Sequence, residues 1–177
     1  MMNLANRVTL ARLFLVPFTV ISIVYYKPEL LYLKWVALAL FLIASLTDAL
    51  DGYLARTRNL KSRLGTFLDP FADKALLLSV FISLQLSTSF KYHIPGWALI
   101  IIVSRDLIIV SVLIVYFTSA GKIMREPNFL GKMTTVIQMF TIVTLLLEWP
   151  MSRFVWPVMI LFTLVSGSSY LFREWKK

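Results

Sequence analysis

The chain has 177 residues, of which 59% are apolar and only 15% charged, against roughly 45–50% and about 25% in an average soluble domain. That balance excludes an ordinary soluble domain and fits a membrane protein, with room for one domain, 1–177, of about six spans of roughly 20 residues each. The absence of cysteine excludes disulfides, thiolate zinc sites and cysteine nucleophiles. The net charge of +9, at this hydrophobicity, points to cytoplasmic loops and anionic lipid headgroups rather than to nucleic acid.

Six apolar stretches follow one another, at about 9–26, 34–56, 66–89, 95–118, 129–148 and 153–172. No small-residue cleavage site follows the first, so no cleavable signal peptide is expected. Prolines and charges punctuate the short connections, as at Lys27-Pro28-Glu29, His93-Ile94-Pro95-Gly96, Arg125-Glu126-Pro127-Asn128 and Glu148-Trp149-Pro150. The N-terminus, the second and fourth loops and the C-terminus carry Arg7, Arg12, Arg56, Arg58, Lys61, Arg63, Lys122, Arg125, Lys132, Arg173, Lys176 and Lys177. The other three loops carry only Lys27, Lys34, Lys91 and Arg153, so the positive-inside bias places both termini in the cytoplasm. Trp35, Trp97, Trp149 and Trp156 fall at outer ends of the spans, where an indole buries its ring and keeps its N–H wet.

Two spans are invaded by charge. The second offers only thirteen uncharged residues, Trp35 to Thr47, before Asp48. Asp48 and Asp51 stand on it, Asp69 and Asp73 on the next, and each ionised group at such depth costs at least about 2.5 kcal/mol on insertion scales. The spacings of three and four put each pair on one face of its helix. Asp51 and Asp69 are each nine residues from Leu60, so an antiparallel hairpin brings both pairs to about the same depth, roughly 7–12 Å below the cytoplasmic helix ends. Four facing carboxylates repel one another, and two divalent cations would neutralise them. Oxygen-only ligands select hard ions such as Mg²⁺, Mn²⁺ or Ca²⁺, and the sole histidine, His93, belongs to the opposite side. Two such ions a few ångströms apart commonly clamp the oxygens of a phosphoryl group. Gly52, Ala55 and Gly65 are small enough to admit a flat ligand close to the backbone, and Arg56 is suited to fork onto a phosphate. Small residues at such spacing also serve simple helix packing.

Residues 48–73 read Asp-x2-Asp-Gly-x2-Ala-Arg-x8-Gly-x3-Asp-x3-Asp. This resembles the signature of the CDP-alcohol phosphotransferase (phosphatidyltransferase) family, and a chance match to every fixed position has odds on the order of one in fifty million. The resemblance implies that Asp48, Asp51, Asp69 and Asp73 are metal ligands for Mg²⁺ or Mn²⁺, that Asp73 is also the general base, and that Asp51, Gly52, Ala55, Arg56 and Gly65 hold cytidine diphosphate. It further implies an all-α polytopic bundle of six transmembrane helices with an N-terminal interfacial helix, a homodimer, and an active site facing the cytoplasm from an inner or cytoplasmic membrane. The reaction implied moves a phosphatidyl group from CDP-diacylglycerol to an alcohol, within phospholipid biosynthesis.

Asn6-x2-Thr9-x2-Arg12, Pro17, Ile94-Pro95-x-Trp97, Ser104-Arg105-Asp106 and Gly131-Lys132-x-x-Thr135 are similar to segments of the family's phosphatidylglycerophosphate synthases. That similarity implies glycerol 3-phosphate as acceptor, with Arg105 and Lys132 on its phosphate and Asn6, Thr9 and Arg12 shaping the cleft. One position departs: the second arginine expected eight residues after Arg105 is Leu113. Phosphatidylglycerol, inositol phosphate and serine therefore stay open as acceptors. A cation transporter with intramembrane carboxylates is the rival from another class, and a catalytically silent scaffold is a third reading.

Overall fold

The computed structural model describes the backbone of residues 4–58, 63–119 and 129–175 and the side chains of 10–47, 71–112, 114 and 129–169. Among the described residues there are six α-helices and no strand: α1 (Leu4–Val24), α2 (Leu31–Arg58), α3 (Arg63–Leu86), α4 (Gly96–Ser119), α5 (Phe129–Leu146) and α6 (Ser152–Trp175). Each matches an apolar stretch read from the sequence to within a few residues. Pro28–Leu30 forms a single 3-10 turn before α2, closed by the Leu30 N–H donating to the Lys27 carbonyl at 2.8 Å. Among the described residues two stretches are long and apolar enough to cross a membrane, Pro28–Thr47 and Phe129–Leu146, and Leu10–Val24 is a shorter apolar helix. Asn6, Thr9 and Arg12 belong to α1 itself, whose backbone is one helix from Leu4 onward.

The chain forms two compact units, residues 1–90 and 91–177. In the first, α1 packs along both α2 and α3. Its core is Ile23, Ala37, Phe41, Ala44, Ala72, Leu76, Leu77, Val80 and Phe81. The rings of Tyr26 and Phe90 close its far end with centroids 4.6 Å apart. In the second unit, α6 packs along both α5 and α4. The edge-on pair Trp97–Trp156, 5.8 Å between centroids, and the bond from Arg105 to Ser166 join α4 to α6 at nearly the same sequence offset, so these helices run parallel. Trp35, Trp97 and Trp149 are all about half exposed, as interfacial anchors should be.

Serine and threonine hydroxyls make these helices less polar than their composition suggests. Thr19, Ser22, Thr141 and Thr163 each donate to the carbonyl one turn back, at 2.7–3.0 Å, while the Thr134 hydroxyl is shared between the Leu130 carbonyl at 2.8 Å and that of Phe162 on α6 at 3.2 Å.

The end of α5 is closed by a residue of unusual conformation. Trp149 N–H donates to the Thr144 carbonyl at 2.9 Å and Glu148 N–H to that of Leu145 at 3.0 Å, which is the Schellman pattern. Glu148 occupies the left-handed position with φ 54°, where glycine is usual. Its carboxylate offsets part of that cost, Oε1 accepting the Lys91 N–H at 3.2 Å. The expected result is that Glu148→Ala destabilises the protein by about 1 kcal/mol relative to Glu148→Gly, because alanine loses the same bond and keeps the strain. Thermal unfolding in detergent micelles checks this; equal melting temperatures would show that the helix end relaxes instead.

Candidate functional site

The signature residues are carried by two neighbouring helices of the first unit. Asp48, Asp51, Gly52, Ala55 and Arg56 lie on α2, and Gly65, Asp69 and Asp73 on α3. Of these, only Asp73 has a side chain among those described; the side chains of the others lie outside the described residues.

Helical register relates Asp73 to the core of its helix. On α3 the buried residues Leu76, Leu77, Val80, Phe81 and Leu84 form one stripe at i, i+3 and i+4 spacing. Counting back by three and four reaches Asp73, which is half-buried, and then Asp69. On α2 the buried stripe is Ala37, Phe41 and Ala44, and the same count forward reaches Asp48 and then Asp51. Asp73 therefore continues the buried stripe of α3, and the other three aspartates fall at the same sequence spacing along their helices. Apolar side chains give way to carboxylates on both helices toward the ends joined by residues 59–62. That donor set, oxygens alone on two adjacent helices, fits hard divalent cations and excludes the soft or nitrogen-preferring ones. Among the described residues no group of three or more acidic or histidine side chains is assembled for a metal, since three of the four aspartate side chains lie outside them.

Arg105 and Lys132 stand in the second unit and differ sharply. Arg105, midway along α4, is 6% exposed. Its Nη1 donates to Asp106 Oδ1 at 2.6 Å and its Nη2 to the Ser166 hydroxyl at 2.8 Å. Nη1 and Nη2 are thus each engaged, and the buried Nε is the guanidinium nitrogen left without a partner among the described residues. The side chain lines a cavity of about 360 Å³ between α4 and α6, together with Ile101, Ser104, Ile108, Leu164 and Gly167. A methyl group built on Gly167 would meet the Arg105 stem at 3.5 Å, an ordinary van der Waals contact, so the arginine stem lies close against α6 at this position. Lys132, near the start of α5, is exposed, and among the described residues no contact joins it to Arg105. Arg12 is buried on α1.

Ser166 is the contributor that sequence reasoning missed. The run Ser166-Gly167-Ser168-Ser169 was the available signal, because small residues in a span mark close helix approach. Gln138 was missed as well: it is fully buried on α5, with neither amide atom hydrogen-bonded.

The family model for CDP-alcohol phosphatidyltransferases matches residues 2–166. A relative from Bacillus subtilis, named CDP-diacylglycerol–glycerol-3-phosphate 3-phosphatidyltransferase, is 35% identical over 193 residues, covering 99% of this chain and 97% of the relative. One from Mycobacterium tuberculosis, a probable phosphatidylglycerophosphate synthase, is 35% identical over 97% of this chain and 81% of its own length. One from Salmonella choleraesuis, with the same name as the first, is 36% identical over 81% of this chain and 76% of its own.

Proposed function

This chain belongs to the CDP-alcohol phosphatidyltransferase family, and from that premise we propose that it transfers the phosphatidyl group of CDP-diacylglycerol to glycerol 3-phosphate, releasing CMP and phosphatidylglycerophosphate. The observation that carries this reading is the complete signature over residues 48–73. A transporter has no use for a nucleotide-binding signature, and transport carboxylates usually sit at the bilayer midplane between broken helices.

In this proposal all six helices span the bilayer, both termini face the cytoplasm, and the protein works as a homodimer. Asp48, Asp51, Asp69 and Asp73 would hold two divalent cations, Mg²⁺ or Mn²⁺, which supply neutralisation of the diphosphate charge. Asp51, Gly52, Ala55, Arg56 and Gly65 hold the cytidine diphosphate, with Arg56 forking onto phosphate oxygens. Asp73 accepts the proton of the attacking hydroxyl. The acceptor oxygen forms its bond to the phosphorus that bears diacylglycerol, the bond from that phosphorus to the CMP oxygen breaks, and its electron pair leaves with CMP. Arg105 and Lys132 bind the acceptor's terminal phosphate.

The test is a panel. Purified protein is given labelled CDP-diacylglycerol with glycerol 3-phosphate, phosphatidylglycerol, inositol phosphate or serine in turn, and the lipid formed is identified. Phosphatidylglycerophosphate is the expected product. Cardiolipin would instead favour the second reading, transfer to phosphatidylglycerol, which the leucine at position 113 supports by withholding a cation from a dianionic acceptor. Hydrogen bonds to charged groups contribute about 1.5–3 kcal/mol, so Arg105→Ala is expected to raise the acceptor KM at least ~10-fold while leaving the KM for CDP-diacylglycerol nearly unchanged. Arg105→Lys should recover only part of the loss, because a point charge does not fork onto phosphate.

A further inference from the structure

An arginine between two membrane helices needs a reason to stay extended and in place. Among the described residues the Nε of Arg105 is buried without a hydrogen-bond partner, which is costly where the residue is 6% exposed. A guanidinium with donors to spare, beside a cavity of about 360 Å³, is short of an oxygen acceptor. Its two existing bonds come from opposite directions. Asp106 is the next residue on α4, and adjacent residues on a helix do not face each other, so the head must turn back to meet it at 2.6 Å. Ser166 reaches it from α6, 61 residues away, at 2.8 Å, and is itself fully buried. Flexible arginine side chains carry considerable rotamer entropy, which two fixed contacts remove before any ligand arrives.

We propose that Asp106 and Ser166 are positioning residues for acceptor recognition: they clamp Nη1 and Nη2 of Arg105 so that the remaining donors meet the acceptor's phosphate in a preset orientation. The inference rests on the reading of Arg105 as an acceptor-phosphate ligand. Asp106 supplies orientation at a cost in charge, since its carboxylate partly offsets the cation, and Ser166 supplies orientation alone. Removing the serine hydroxyl therefore isolates the positioning effect.

Steady-state kinetics of Ser166→Ala, Ser166→Thr, Asp106→Asn and Arg105→Ala, with melting temperatures for each, test the clamp. Ser166→Ala is expected to raise the acceptor KM about fivefold, a part of what a direct hydrogen bond to a charged group is worth. Its kcat at saturating acceptor, its KM for CDP-diacylglycerol and its melting temperature should stay within twofold or a degree or two of the parent. Ser166→Thr restores the parent KM, because the hydroxyl returns. Asp106→Asn keeps an oxygen for Nη1 and gives a smaller rise. If Arg105→Ala raises the acceptor KM while Ser166→Ala and Asp106→Asn do not, the clamp is wrong and the acceptor role of Arg105 stands. If Arg105→Ala itself leaves the acceptor KM unchanged, the acceptor reading fails and the clamp with it. If both substrates' KM values move together with a lowered melting temperature, the pair is a structural strut and the proposal is overturned.

Discussion

Asp73→Asn is expected to lower kcat by about 10²–10⁴-fold, the usual worth of a positioned general base, while CDP-diacylglycerol binding stays within a few-fold of the parent. The asparagine keeps the size of the side chain on the inward stripe of α3, where Asp73 is half-buried above Leu76 and Leu77, so folding is preserved. It removes the carboxylate proposed to take the hydroxyl proton. Asp48, Asp51 and Asp69 still offer three carboxylates to a cation. Equilibrium binding of CDP, measured beside single-turnover transfer, separates the two roles: a variant that loses nucleotide and keeps residual chemistry would identify Asp73 as chiefly a ligand.

The second large effect concerns cations. Excess EDTA is expected to abolish turnover, and Mg²⁺ or Mn²⁺ to restore it, because without cations the carboxylates of the proposed site would repel the diphosphate. Zn²⁺ should restore it poorly, given a donor set of oxygens alone. Elemental analysis of Asp48→Ala and Asp69→Ala after equilibration with Mn²⁺ should find less metal than in the parent. Full activity in excess chelator, or undiminished metal in both variants, contradicts the assignment.

Much of this was readable before any coordinates. Pro95 and Pro150 mark helix starts because a proline has no N–H to donate and sits most easily just before or within a first turn. The spacings within Asp48/Asp51 and Asp69/Asp73 give a shared face for each pair, and of the four only Asp73 has a described side chain, half-buried in line with Leu76 and Leu77. Other features were illegible for physical reasons. The fifth stretch was read to 148, but the helix stops at Leu146 because a glutamate takes the left-handed position that a sequence reader reserves for glycine. The partners of Arg105 could not be derived, since one depends on a side chain folding back on its neighbour and the other on which helix lies alongside. The relative contribution of Lys132 is of the same kind: its sequence position matches a phosphate ligand, and its described side chain is exposed.

The packing within each unit also has a consequence for how the protein is made. In the first unit the helix that touches both others is α1, and in the second it is α6; among the described residues α4 and α5 do not pack on each other. The ribosome therefore delivers the organising helix of the N-terminal half first, so α2 and then α3 each find a surface to dock on as they emerge. The C-terminal half receives its organising helix last. Until Ser152–Trp175 has been synthesised, α4 and α5 have no helix in their own unit to lean on, and Arg105 has no Ser166. A nascent chain should thus spend its longest vulnerable interval late in synthesis, and a stop codon within α6 should expose the two preceding helices to quality-control proteolysis while the N-terminal unit keeps all of its own partners.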